Sequence, residues 1–321
     1  MTKTQTLASG INFKKRNRNQ TLIFTLMALP GIIWLILLRY LPMFGIVLSF
    51  KDFKLYPPNP TLINNIIHSE WVSFDNFKFL FTTTDSWNMI KNTLVYNMVF
   101  IVLTLVISVS LAIMLSEVTK KFVAKAYQTA MFFPYFLSWV VVDYFLYAFI
   151  SPNKGLIPVM QQSAGMIATD WYGTHAPWPF ILTFAYLWKN LGYSCILYLA
   201  AITGIDSSQY EAATIDGASK WQQVFYITLP HLKTMIIILF ILAAGKIFNS
   251  DFGLFYIVTR NSGPTFPTTQ VIDTYVYRAL MQTRNIGMSS AAGLFQNVLG
   301  FICIMTVNSI VKKVEPDSTL F

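Results

Sequence analysis
Charge is scarce in this chain: Asp, Glu, Lys and Arg make up 12% of its 321 residues, where a soluble domain carries about a quarter. That excludes an ordinary water-soluble fold. Cysteine is nearly missing as well. Cys195 and Cys303 both fall in long apolar stretches, so they read as core thiols and offer neither a disulfide framework nor a metal site. The three histidines, His68, His175 and His231, lie in loops or at a helix end, with no H-E-x-x-H pair and no Cys/His cluster of metal-ligand spacing. No G-x-x-x-x-G-K-[ST] run occurs, so the chain cannot hydrolyse ATP by the P-loop route. Internal repeats, low-complexity tracts and long linkers are also missing, and the organisation reads as one domain.

What the chain has in abundance is apolar surface: 55% of residues are hydrophobic and 16% aromatic. Six stretches are long enough to cross a bilayer, which takes about 20 apolar residues per helix: 22–50, 93–116, 126–150, 179–202, 232–258 and 288–311. The expected fold class is an all-α membrane protein of six transmembrane helices. Lys14, Lys15, Arg16 and Arg18 precede the first stretch and imitate a secretory signal. The apolar run is too long for one and lacks a small-residue cleavage site, so it reads as a retained span.

Of the 23 Lys and Arg, twelve fall before residue 22, in 117–125, in the segment 206–233 and at Lys312 and Lys313, all on one side. Eight lie on the opposite loops, 51–92, 151–178 and 259–287, and three within spans. The positive-inside rule then makes both tails, 1–21 and 314–321, cytoplasmic, flanking a membrane domain over 22–313. The net charge of +9 is accounted for by this anchoring and by anionic lipid headgroups, without a nucleic-acid partner. The first outer loop carries Trp71, Phe74, Phe77, Phe79 and Phe81, enough apolar surface to pack on the outer ends of the spans.

The most informative stretch is 211–230, EAATIDGASKWQQVFYITLP. Ser208 with Glu211 forms an S-x-x-E capping box and Ser219 with Gln222 an S-x-x-Q box, which predicts two short helices punctuated at Gly217 and stopped by Pro230. Gly217 also suits a helix C-cap. Ala212, Ala213 and Ala218 are small enough for a close helix-to-groove contact, while Trp221, Val224 and Phe225 offer an apolar side to pack under the spans. Asp216 is placed to meet either helix end or a partner.

These residues match E-A-A, D-G-A and I-x-L-P at nine positions across twenty. In this the chain resembles the permease subunits of binding-protein-dependent ABC importers. The resemblance implies a type I importer permease (MetI-like) fold with a cytoplasmic coupling helix in 206–230. It implies that Glu211, Ala212, Ala213, Asp216, Gly217, Ala218, Leu229 and Pro230 couple to an ATPase. ATP and Mg would then belong to two separate ATPase subunits, with no cofactor in this chain and no catalytic residue, and a second homologous permease would complete the membrane part.

Charges inside spans cost about 2.5 to 3.5 kcal/mol at a helix centre and mark function or buried pairing. Arg39, Asp143, Lys189, Lys246 and Asp251 all count to the midplane or outer half, with Asn297 at a similar level. A substrate pathway over Lys189, Asn190, Lys246, Asn249, Asp251 and Asn297 is expected. In the fifth span the apolar run 235–248 is broken by Lys246 and then by Asn249, Ser250, Asp251 and Gly253, and Lys246, Asn249, Ser250 and Gly253 share one helical face. The structural alternative pairs Lys246 with Asp143 or Asp251 and uses Gly253 for helix packing. Trp188, Tyr193, Phe252 and Tyr256 are placed to stack on sugar rings or to fill the core.

Longer segments narrow the resemblance. LWKNLGYSCILYLAAITGID (187–206), AAGKIFNSDFGLFYIVTRN with VIDTYVYR (243–278), and LPGIIWLILLRYLPMFGIVLSFKDF near the start are similar to the LplB-type carbohydrate permeases. The branch implies import of oligosaccharides delivered by an extracellular solute-binding protein, at a bacterial cell membrane. A non-sugar solute such as a peptide or polyol is the nearest alternative. An intramembrane enzyme would have only Lys189, Lys246, Asp143 and Asp251 to work with, and a passive channel has no use for 206–230.

Overall fold
The computed structural model describes residues 10–54, 61–152, 154–282 and 284–315; of the expected tails 1–21 and 314–321, residues 1–9 and 316–321 lie outside them. The chain divides into two compact units, one up to Asn76 and one from Phe77 on, where the sequence suggests a single domain over 22–313.

In the smaller unit, helix α1 (Gly10–Leu35) continues through a π turn (Ile36–Tyr40) and a 3-10 stretch (Leu41–Phe50), so the first expected span is helical throughout. Pro42 sits at the start of the 3-10 stretch, where its missing N–H is no loss. Strand β1 (Lys51–Asp52) then pairs antiparallel with β2 (Glu70–Trp71), Lys51 opposite Trp71 and Asp52 opposite Glu70, with α2 (Leu62–His68) between them. The buried Lys51 ammonium donates to the Ile66 carbonyl and lies 5.0 Å from the Trp71 ring centre. Asn76 donates to the carbonyls of Ser49 and Lys51 at 3.1 and 3.0 Å. This half of the first outer loop is therefore a folded element.

The larger unit contains α3 (Phe79–Thr82), α4 (Thr84–Ser116), α5 (Lys121–Phe132), α6 (Trp139–Ile150), α7 (Leu156–Ser163), α8 (Trp178–Thr203), α9 (Ser207–Ile215), α10 (Lys220–Gln223), α11 (Leu229–Ala244), α12 (Phe266–Thr269), α13 (Ile272–Met281) and α14 (Ile286–Val314). Across the described residues, four helices are long and apolar enough to span a membrane: Gln20–Phe50, Thr84–Ser116, Lys220–Ala244 and Ile286–Lys313. A bent pair, Lys121–Phe136 with Trp139–Ile150, makes a fifth if counted as one span. α8 has the length, 26 residues, but Trp188, Lys189 and Asn190 dilute its apolar run. A count of six therefore rests on its length.

Two expected spans are not continuous helices. The stretch 126–150 bends by 97° between Phe136 and Trp139: Pro134 opens a 3-10 turn, and Ser138 restarts the helix by accepting the Val141 N–H at 3.4 Å. The stretch 232–258 ends as a helix at Ala244, and a short π turn resumes only at Gly253–Ile257. The single face expected for Lys246, Asn249, Ser250 and Gly253 therefore does not exist.

Packing explains where the chain comes close to itself. Buried Val109, Ala112 and Leu115 of α4 meet Cys195, Tyr198, Leu199 and Ile202 of α8 and Leu232 of α11. A second core gathers Tyr96 and Phe100 with Val142, Trp178, Leu182, Leu254 and Phe255. A third joins Phe79, Leu80 and Met89 to Phe248, Ile272 and Ala292, so Phe79 packs as the loop composition suggested, while Trp71, Phe74 and Phe81 remain exposed. Gly192 lets α8 touch the backbone of α5, since a Cβ there would lie 2.0 Å from the Met131 carbonyl oxygen. Small residues at such crossings are what membrane helices use to approach. Cys195 is buried, Cys303 half-buried, and both are free thiols.

Candidate functional site
The segment 206–230 forms the two helices its sequence calls for, with two differences at their ends. The cap of α9 is Asp206, whose carboxylate accepts the Ser208 N–H at 3.0 Å; the Ser208–Glu211 box does not form. A carboxylate earlier in the chain wins because it both caps the free N–H groups and meets the positive end of the helix dipole. That hydrogen bond holds the Asp206 carboxyl below the usual carboxylate range. Gly217 closes α9 at φ +80, the left-handed conformation a C-cap glycine supplies. The second box forms as expected: Ser219 accepts the Gln222 N–H, and Gln222 Oε1 accepts the Ser219 N–H at 2.7 Å.

Pro230 does not stop the second helix. Lys220–Ala244 runs as one helix of 25 residues, because a π turn over Val224–Thr228 widens the helix just before the proline and relieves the clash with the carbonyl four residues back. Glu211, Ala212, Asp216, Gly217 and Pro230 are exposed, and Ala213, Ala218 and Leu229 are half-buried. Val224 is buried, but Trp221 and Phe225 face outward with rings 6.3 Å apart and do not pack under the spans. Two side-chain bonds hold the helices together, Gln223 to Thr214 and Tyr210 with Thr228, both at 2.9 Å.

The polar residues within the spans resolve into two supported breaks. At the first, the Lys189 ammonium donates to the carbonyls of Tyr135 and Leu137, satisfying groups that the bend takes out of the helix ladder. At the second, Asn97 donates to the carbonyls of Ile247 (2.9 Å) and Asn249 (3.1 Å), Gln296 to that of Phe248 (2.8 Å), and the Asp273 carboxylate accepts the Ser250 N–H (2.7 Å). Asp251 accepts from the Trp139 indole at 2.8 Å and from the Gly253 N–H at 3.0 Å.

Neither expected ion pair of Lys246 is present. Asp143 is buried against Arg260 in a bidentate bridge (3.0 and 2.8 Å), with the guanidinium 3.5 Å from the Tyr147 ring centre, a fork geometry that a lysine cannot supply. Lys246 and Asn249 are exposed, and their side chains have no polar partner among the described residues. Asn190 and Asn297 donate to carbonyls one turn back, Tyr186 and Gly293. Tyr256 and Phe252 stack on each other at 4.8 Å, and Tyr193 stacks on Tyr135 at 4.8 Å. A cavity of about 210 Å³ between α4, α8 and α11 is lined by Thr104, Ser108, Tyr186 and Ser194 among apolar residues. Sequence pattern alone does not single out Asn97, Trp139, Asp273 and Gln296, although an amide inside each apolar run, at Asn97 and Gln296, is a usable signal. Among the described residues no group of three or more His, Cys, Asp or Glu side chains is placed to hold a metal ion.

Residues 105–316 match the binding-protein-dependent transport system inner membrane component family. The chain belongs to that family. The permease is 30% identical over 318 residues to Protein LplB of Bacillus subtilis (strain 168), covering 97% of this chain and 95% of that one. It is 33% identical over 317 residues to the polygalacturonan/rhamnogalacturonan transport system permease protein YteP of the same strain, covering 95% and 94%. Its fold matches a chain in the crystal structure of a bacterial ABC transporter involved in import of the acidic polysaccharide alginate, with TM-score 0.81, 30% identity and coverage of 95% and 99%. A second match, TM-score 0.81 at 29% identity and coverage of 93% and 97%, is to that transporter in complex with alginate pentasaccharide-bound periplasmic protein. The permease is thus a non-catalytic membrane subunit of an ABC importer with the all-α fold of its class.

Proposed function
We propose that the permease forms half of the translocation pathway of an ATP-driven oligosaccharide importer, beside a second permease, two ATPase subunits and an extracellular solute-binding protein. The observation that carries the carbohydrate reading is the near full-length likeness to an importer of alginate, supported by the likeness to YteP. The segment 206–230 lies on the cytoplasmic side and docks into the ATPase through Glu211, Ala212, Ala213, Asp216, Gly217 and Ala218, with Leu229 and Pro230 at the root of the lever. Its support is the exposed, separately capped α9. Both termini are cytoplasmic, on the Lys and Arg count.

Closure of the ATPase pair drives α9 and, through the continuous helix Lys220–Ala244, the loop 245–252, exchanging inward-open for outward-open states. Among the pathway residues Lys246 and Asn249 are the groups free to meet sugar hydroxyls. Lys189 and Asp251 shape the walls, and Asn190 and Asn297 flank them. The test is a reconstituted complex in which ATP hydrolysis is stimulated by binding protein loaded with oligosaccharide. Stimulation by a peptide or polyol instead would overturn the carbohydrate reading. Glu211→Lys is expected to leave the permease inserted while ATPase co-purification falls about tenfold or more, the scale of a lost interfacial charge contact; unchanged co-purification and uptake would remove the docking role.

A further inference from the structure
The two helix breaks meet at a single side chain. Trp139 is the first residue of α6 after the first break, and its indole N–H reaches Asp251 Oδ2, 112 residues away in sequence, at 2.8 Å. The other carboxylate oxygen accepts the Gly253 and Leu254 N–H groups at 3.0 and 3.4 Å, so Asp251 also caps the turn that resumes after the second break. The ring of Trp139 lies so near Gly253 that a Cβ there would fall 2.2 Å from Trp139 Cδ1. The Lys189 ammonium, which holds the first break, stands 5.4 Å from the same ring centre. A carboxylate within a membrane span is costly unless its oxygens are bonded, and here one donor comes from the opposite break.

We propose that Trp139 is a positioning residue for transport: by holding Asp251 it registers the loop 245–252, with Lys246 and Asn249, against the break at 133–138, so that both broken helices move as one piece. This rests on the pathway reading above. Phenylalanine keeps a flat ring but loses part of the indole's bulk together with its N–H, so the single change does not separate positioning from filling space. The double variant with Asp251 does, because lost bulk costs the same whether or not Asp251 is present and a lost contact does not.

The experiment uses the assembled importer with Trp139→Phe, Asp251→Ala and the double variant, reading the half-saturating concentration and maximal rate of uptake. Trp139→Phe should raise the half-saturating concentration about fivefold with the maximal rate far less affected, and the double variant should be no worse than Asp251→Ala, the mark of a shared contact. Multiplying effects would overturn the proposal. Gly253→Ala should impair uptake in the native background and do so less in Trp139→Ala, which removes the Cδ1 and Cγ atoms that the new Cβ would meet at 2.2 and 2.7 Å; equal impairment in both backgrounds counts against it. A substrate-independent reading comes from 5-fluorotryptophan labelling, with the Trp139 resonance assigned by its loss in Trp139→Phe. Asp251→Ala should shift that resonance, and no shift would overturn the contact. A shift in an importer that no saccharide drives supports the contact and overturns only the carbohydrate reading.

Discussion
The segment 206–230 and the loop 245–252 both interrupt helices, and they are held by opposite means. The first is fixed by its own neighbours: Asp206 caps Ser208 two residues on, Ser219 and Gln222 bond three apart, and Gln223 reaches Thr214 nine apart. The second is fixed from far away in sequence, by donors and acceptors 23, 48, 112, 150 and 152 residues distant. A locally coded element keeps its shape while it is moved, which suits a lever. A loop held by four other parts of the bundle changes only when the bundle does, which suits a gate read by global state.

The largest expected effect breaks the distant support. Asn97→Ala removes the donor from the Ile247 and Asn249 carbonyls, and each unsatisfied group costs about 1 to 3 kcal/mol. The contact to the Asn249 carbonyl is exposed and that to Ile247 part-buried, so a loss of about 2 to 3 kcal/mol for the pair is expected, seen as an earlier melting transition of the whole detergent-solubilised permease. Unchanged melting would show that the loop holds itself. A smaller and different effect follows at the local element. A Cβ at Gly217 would meet no neighbouring atom within 4 Å, so the cost of Gly217→Val is set chiefly by the φ of +80, about 1 to 2 kcal/mol for a left-handed residue. Global melting should stay put while ATPase co-purification drops, because only the angle between α9 and α10 is strained. A large melting shift with Gly217→Val would erase the contrast between the two regions.

The same contrast explains what the sequence made legible. The second capping box, the turn at Gly217 and the ends of the spans at Ser116 and Phe50 follow from residues next to one another. So does the family, since nine matching positions sit within twenty. The breaks at 133–138 and 245–252 lie inside stretches that read as spans on their length; the polar residues Lys246, Asn249, Ser250 and Asp251 interrupt the second without announcing that the helix ends there, and the groups that make a break affordable in lipid, Lys189, Asn97, Gln296 and Asp273, lie elsewhere in the chain. Of the two carboxylates that the sequence offers Lys246 as alternatives, Asp143 pairs elsewhere for a related reason: Arg260 sits in a loop by sequence, and only the fold brings it to 2.8 Å. Pro230 failed as a stop because its helix widens into a π turn, which no residue type announces.

The smallest expected effect concerns charge at the lever's first cap. The Asp206 carboxylate accepts the Ser208 N–H, which lowers its pKa in the folded state relative to about 3.9 in an unfolded chain. A depressed carboxylate pKa means that its stabilisation is fully present above the unfolded value and is lost as pH falls through the folded one. Near neutral pH the cap is therefore complete. The group is solvent-exposed, so screening keeps the effect local to the first turn of α9. Amide protection at Ser208 and Gln209 should hold from pH 7 to about 4 and decline below it. Asp206→Asn should flatten that decline while keeping the turn, since asparagine caps as well as aspartate but carries no proton to titrate. A decline centred near pH 6 would point to a different titrating group, and a flat profile in the native chain would mean that Ser208, not Asp206, begins the helix.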